Sequence, residues 1–177
     1  MTTISGPVRK LGANVSTDEI LPGRYMSTTD SAVLAARALE GLDPTLRENL
    51  NPGDILVTGT NFGTGSSREA APRALQAAGF AAIVAESFAR IFFRNCINIG
   101  LPVFWLPDAR LMFHDDEIIE IDATSGVIRN TRTGIEAQSQ PLPDFIQALV
   151  EHGGLIEYAK TRIGQSLVFS EPGQPPP

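Results

Sequence analysis

One cysteine, one tryptophan and two histidines are spread over 177 residues, and each scarcity excludes something. A lone Cys96 forms no intramolecular disulfide and fits a reducing cytoplasm. It also cannot by itself hold an iron–sulfur cluster, which takes several thiolates. His114 and His152 stand far apart, without metal-ligand spacing. No run of about 18 apolar residues occurs, so no bilayer-spanning helix is expected. The opening stretch MTTISGPVRK has neither the basic lead nor the apolar stretch of a secretory signal. Basic excess is missing as well. Fourteen Lys and Arg face twenty Asp and Glu, for a net charge of −6. Such a chain lacks the basic stripe that nucleic-acid backbones require.

Hydrophobic residues make up 42% of the chain, enough for a packed core over most of its length. The length suits one domain, expected over residues 1–170. A tail from Glu171 to Pro177, with four prolines and no core former, is expected to be loose.

The apolar pattern alternates strands with helices. Short strands are expected at Pro7 to Leu11, Asp54 to Thr58, Ala81 to Ala85 and Leu101 to Leu106. Asp30 is placed to cap a helix over Ser31 to Glu40, ended by Gly41. A second helix is expected from Ser67 to Ala78, and a third, capped by Ser87, through Cys96. Strand and helix alternating with short joints argue for a parallel sheet with right-handed crossovers. Beyond Pro107, Glu117 to Asp122 and Val127 to Arg129 flank a hairpin turn, and helices follow over Leu142 to His152 and Leu155 to Gly164. The residues thus describe a mixed α/β domain with a mostly parallel sheet and a β-hairpin appendage.

The chemistry concentrates at Gly59-Thr60-Asn61-Phe62-Gly63-Thr64-Gly65-Ser66-Ser67-Arg68-Glu69, which joins an expected strand to an expected helix. Ligands of open α/β sheets gather at such carboxyl ends. Gly63 and Gly65 allow close backbone approach, and Arg68 is suited to a two-bond grip on a carboxylate or phosphate. The stretch is neither a P-loop, which needs Gly-Lys-Ser/Thr, nor a dinucleotide fingerprint, nor a nucleophile elbow. A plainer alternative is a helix start, with Ser66 or Ser67 as the cap and Glu69 favouring the first turn. A second candidate is Ser16 to Tyr25, within the polar and turn-rich loop Asn14 to Ser27. There Thr17, the paired carboxylates Asp18 and Glu19, and Arg24 are available, Arg24 either as a second anion clamp or as a surface ion-pair partner. In Ser87-Phe88-Ala89-Arg90-Ile91-Phe92-Phe93-Arg94-Asn95, a third candidate, the aromatics read as core and Arg90 as a brace of the fold. Trp105 also reads as core.

Several of these blocks, in order and spacing, resemble one family. Thr17-Asp18-Glu19-Ile20, Asn61-Phe62-Gly63, Gly65-Ser66-Ser67-Arg68-Glu69, Ser87-Phe88-Ala89-Arg90-Ile91-Phe92 and Asn98-Ile99-Gly100-Leu101-Pro102 are similar to the small subunits of 3-isopropylmalate dehydratases. These are the free-standing form of the aconitase swivelling domain. The resemblance implies a three-layer β/β/α swivelling fold and a hydro-lyase acting on a small dicarboxylate only together with a large subunit. That partner would carry the [4Fe–4S] cluster, and this chain would bind no cofactor. It also implies Ser66 as the base and Ser67, Arg68 and Arg24 as substrate-binding residues, supported by Thr17, Asp18, Gly63, Gly65 and Glu69. Two positions depart from the family pattern: Thr64 stands where a cysteine is usual and Ala70 where a histidine is. The departures keep open a related dehydratase for another 2-hydroxy diacid, and the loop alone keeps open a non-catalytic anion-binding module.

Overall fold

The computed structural model describes residues 3–43 and 46–167. The elements in chain order are β1 (Thr3–Lys10), α1 (Thr17–Ile20), α2 (Ser31–Arg37), β2 (Ile55–Thr58), α3 (Ala70–Ala77), β3 (Ala82–Ala85), α4 (Arg90–Ile99) and β4 (Val103–Trp105). Then come α5 (Ala109–Met112), β5 (Ile118–Asp122), β6 (Val127–Asn130), β7 (Glu136–Gln138), α6 (Asp144–Glu151) and α7 (Leu155–Leu167). The strands order as β4-β3-β2-β1-β5-β6-β7.

β1 is longer than the expected Pro7 to Leu11, and its two halves have different partners. Thr3 to Pro7 pair antiparallel with β5, while Val8 to Lys10 pair parallel with β2. From there β2, β3 and β4 continue in parallel, and β6 and β7 continue the antiparallel side. The expected hairpin is therefore the first part of a three-stranded meander whose last strand, β7, was not anticipated.

Alternating side chains then build two cores. Every residue of β2 and β3 is buried, as expected for strands covered on both faces. Leu56, Ile83, Ala85 and Val103 pack against Ala71, Ala74 and Leu75 of α3 and Phe92 and Cys96 of α4. On the other face Ile55, Val57, Ala82, Val84 and Phe104 pack against Ile119, Ile121 and Ile128 of the antiparallel half. Helices, parallel strands and antiparallel strands are thus three layers, the β/β/α arrangement that the resemblance implied.

Several local expectations need correction. α3 begins at Ala70 rather than Ser67, and neither serine caps it; its N-cap is Glu69, without a side-chain cap bond. Pro72 is the reason. With Glu69 as N-cap, Pro72 is the third helical residue, where no N–H is needed, and the first ladder bond is Arg73 N–H to the Glu69 carbonyl. A start at Ser67 would put the ring inside the ladder. Asp30 does cap α2, accepting from the Ala32 N–H at 2.8 Å. That helix ends at Arg37 rather than Glu40, because Leu39 takes a positive φ of 63° and gives its N–H to the Ile20 carbonyl. Ser87 does not cap α4, whose N-cap is Ala89; the Ser87 hydroxyl instead accepts the Asn61 N–H. α4 runs on to Ile99, where Gly100 ends it with a φ of 77°. Trp105 is not core: it lies at the open end of the edge strand β4 and is 48% exposed. Arg90 braces nothing among the described residues; it is exposed and makes no side-chain bond. The tail from Glu171 lies outside the described residues.

Gly6 sits where β1 changes partner, and a Cβ there would meet the Gly53 carbonyl oxygen at 2.0 Å. That oxygen belongs to backbone in the turn before β2, so no side-chain rotation relieves the overlap. Gly6→Ala is expected to destabilise the fold by about 2–3 kcal/mol, as overpacking does. Urea unfolding of the two proteins measures it, and equal midpoints would contradict the tight crossing.

Candidate active site

The glycine-rich turn leaves the carboxyl end of β2 and is held on two sides. On one side the Phe62 N–H donates to the Ser87 carbonyl and the Ala89 N–H to the Phe62 carbonyl. On the other, the Gly63 N–H donates to the Val15 carbonyl and the Thr17 N–H to the Thr64 carbonyl, both at 2.8 Å. Residues 15–17 and 63–65 thus lie side by side, and this alignment brings the polar loop to the serines. Gly63 has a φ of 78°, and a Cβ there would meet the Phe92 ring at 2.1 Å. Only glycine satisfies both conditions.

α1 is a single turn, far too short to persist on its own, and it is tied at its start. The Ser16 hydroxyl accepts the Glu19 N–H at 3.2 Å, and the Glu19 carboxylate accepts the Ser16 N–H at 2.7 Å. This is a capping box. Glu19 is therefore committed to structure, while Asp18 faces the other way. The Ser16-x-x-Glu19 pattern is a helix-start signal inside the stretch expected as a functional loop.

Thr17 is buried, and its hydroxyl oxygen accepts the Ser66 N–H at 3.2 Å. The Ser67 carbonyl accepts from the Asn95 side-chain amide of α4 at 3.3 Å. Asn95 closes the third candidate stretch of the sequence but carries no role there; its position three residues after Phe92, on the face that meets Gly63, was the available signal. The hydroxyls of Ser66 and Ser67 make no hydrogen bond among the described residues, and both residues are exposed.

Arg68 forms an ion pair with Asp18 through Nη1. Its side chain is only 22% exposed, and its Nε is buried without a partner. A Cβ on Gly23 would stand 3.6 Å from Nη1 and 3.5 Å from the Asp18 carboxylate, so the turn at Gly23 closes over the pair. A guanidinium offers five N–H donors in a fixed fork. With Asp18 on one edge and Nε unsatisfied, the fork retains capacity for an anionic oxygen.

Thr17, Asp18, Ser66 and Arg68 are joined by direct bonds, with Gly63 and Gly65 in the connecting turn. Arg24 and Glu69 are engaged elsewhere. Arg24 pairs with Glu40 and lies 4.8 Å over the Tyr25 ring, and no direct bond links it to Ser66 or Arg68. Glu69 pairs with Arg73 one turn along α3.

The residues do not fit an iron–sulfur cluster. Cys96 is fully buried, and burial pushes its thiol above the ordinary range, which suits an inert thiol rather than a thiolate ligand. Among the described residues no group of three or more His, Cys, Asp or Glu could hold a metal ion. No described helix is long and apolar enough to cross a membrane.

Residues 43–107 match the model of the aconitase C-terminal domain. A 3-isopropylmalate dehydratase small subunit from Nautilia profundicola is 46% identical over 166 residues, which is 94% of this chain and 99% of that protein. The small subunit 1 from Methanopyrus kandleri is 48% identical over 157 residues, covering 89% and 92%. The chain belongs to the 3-isopropylmalate dehydratase small-subunit family. A crystal structure of 3-isopropylmalate dehydratase from Methanocaldococcus jannaschii superposes with a TM-score of 0.87 at 37% identity, covering 94% of this chain and 99% of that one. The aconitase-domain match spans β2 to β4 and therefore contains the Gly63 to Arg68 turn, whereas Thr17 and Asp18 fall outside it and only inside the small-subunit likeness.

Thr17→Val keeps the shape of this small-subunit site and removes the acceptor of the Ser66 N–H. The expected cost is about 1 kcal/mol in stability, with hydrogen exchange at the Ser66 amide accelerating well beyond that of the α3 amides. Amide exchange by NMR reads both, and an unchanged Ser66 rate would show that the bond does not order the turn.

Proposed function

We propose that this chain is the small subunit of a dehydratase that interconverts 2- and 3-isopropylmalate by reversible dehydration and rehydration in leucine biosynthesis. It acts with a separate large subunit, and both reside in the cytoplasm. The [4Fe–4S] cluster belongs to that partner, together with the chemistry on the leaving hydroxyl. The observation that carries the reading is Arg68, partly buried, oriented by Asp18 and left with an unsatisfied Nε, two residues beyond an exposed serine.

In this mechanism Arg68 binds one substrate carboxylate through its free edge, while Asp18 keeps the guanidinium from swinging away. Ser66 takes the carbon-bound proton on dehydration and returns a proton on rehydration. A serine hydroxyl is a poor base in water. Because α3 starts only at Ala70, its first N–H groups are not adjacent to Ser66, and the cationic Arg68 is the group that offsets the developing alkoxide. Ser67 completes the carboxylate pocket. The lone buried thiol supports a reducing compartment.

Ser66→Ala is expected to leave the melting temperature nearly unchanged, since its hydroxyl makes no bond among the described residues, and to abolish exchange of the substrate's carbon-bound proton with solvent. Ser67→Ala is expected mainly to raise KM. Both are measured on the complex with the large subunit. Proton exchange that persists in Ser66→Ala would remove the serine from the mechanism.

Arg68→Lys keeps the charge but loses the planar fork. A loss of about 2–4 kcal/mol in transition-state binding is expected, comparable to removing one electrostatic donor. Steady-state kinetics of the complex test it, and near-normal kcat/KM would reduce Arg68 to a partner for Asp18.

A second reading, a dehydratase for a related 2-hydroxy diacid, is favoured by Ala70. This residue opens α3 and packs its methyl against the helix-side core, where the family pattern has an imidazole. A panel of alkyl-substituted malates separates the two readings by kcat/KM.

A further inference from the structure

α4 has a second working face. Its Phe92 and Asn95 touch the glycine-rich turn, while Arg90, Phe93 and Arg94 line a separate open groove of about 460 Å³ on the other side. Phe88 and Trp105 complete its aromatic lining, and Pro143, just before α6, also lines it. The indole N–H of Trp105 is held by the Glu86 carbonyl, which fixes the ring while leaving it 48% exposed. Arg90 and Arg94 lie one turn apart, both exposed, and neither makes an ion pair or side-chain hydrogen bond among the described residues. Glu86 and Asp144, the nearest carboxylates along the chain to this lining, pair with neither.

A rigid aromatic wall beside unpaired arginines is the composition of a protein–protein hot spot, not of a solvated surface. Two free guanidinium groups call for carboxylates, and the aromatic wall calls for an apolar anchor between them. α4 borders both this groove and the turn that exposes Ser66 and Ser67, the turn that in the reading above works against the large subunit. We propose that this groove seats an acidic, apolar-tipped segment of the large subunit, so that α4 is shared between the subunit interface and the serine-bearing turn. The inference rests on the heteromer reading above and adds where the partner binds and what chemistry it presents.

Trp105 is the only tryptophan, so fluorotryptophan labelling of this chain gives one fluorine resonance at the groove. Titration with the unlabelled, cluster-loaded large subunit is expected to shift that resonance. The double variant Arg90→Glu with Arg94→Glu is expected to fold normally by circular dichroism and to weaken association by about tenfold or more. Added salt should weaken the unmodified pair more than the variant pair. The proposal fails if the complex forms while the Trp105 resonance stays in place, or if the double variant binds with unchanged affinity. A shift produced by concentrating this chain alone would give the groove to a second copy and also overturn it. Absence of any complex between the unmodified subunits is a different failure: it removes the heteromer reading itself, and the groove proposal with it.

Discussion

The strand Thr3–Lys10 exchanges hydrogen bonds with two partners that run in opposite directions, and both halves of the molecule hang on that exchange. At the change-over the Val8 N–H donates to the Glu117 carbonyl, and the Val8 carbonyl accepts the Asp116 N–H. Arg9 then reaches Asp54, whose carboxylate is nearly sealed from solvent, and also Asp116. Asp54 further accepts the Asn51 N–H, so the turn before β2 is fastened to the same point. A sealed carboxylate is tolerable only while its cation stays in place. The crossing therefore couples the entry to β2 with the entry to β5 in a single polar knot between two apolar layers.

From that knot the location of the site follows. β2 is aligned by β1, and everything at its carboxyl end inherits the alignment: the turn through Gly63, the neighbouring strip from Val15 to Thr17, and the Ser87 to Ala89 segment leaving β3. Three loops, following the three adjacent parallel strands β1, β2 and β3, meet over a length of few residues. The serines themselves carry little of the stability, since their side chains hold no bond among the described residues. Their backbone is held instead, Ser66 through Thr17 and Ser67 through Asn95. A side chain free to react on a main chain that is not free to move is the arrangement proton transfer requires.

Much of this was legible beforehand, and the failures have identifiable causes. The buried strands Ile55–Thr58 and Ala82–Ala85 declare themselves as apolar runs between turn residues, and the glycine-rich stretch after the first of them marked the site. Asp30 is a local signal with a local effect, whereas the stop at Gly100 was passed over and α4 was expected to end at Cys96. The start of α3 was misplaced because two serines outweighed Pro72, although the missing N–H is the stronger constraint. Trp105 was assigned to the core on residue type, but whether a strand's last residue is covered depends on which strand is at the edge, and sheet order is not local information. Likewise β1 gives no hint in composition that it changes partner midway. The pairing of Arg68 with Asp18 spans fifty residues and becomes visible only once the Val15 to Thr17 strip is seen to lie beside the turn.

At several glycines, Gly6, Gly41, Gly100, Gly126 and Gly154 among them, an added Cβ would strike main chain, and the first two guard the parts of the fold that carry the site. A Cβ on Gly6 would strike the Gly53 carbonyl oxygen, and one on Gly41 would strike the Asp18 carbonyl oxygen at 2.4 Å. At Gly63 the obstacle is a side chain, which a second substitution could in principle trim. Where main chain meets main chain there is nothing to trim, so no compensating change elsewhere restores the space. Both positions are therefore closed to gradual sequence drift: one protects the joint between the two sheet halves, the other the short helix that carries Asp18. Selections for second-site suppressors of substitutions at these two positions should return revertants to glycine and little else.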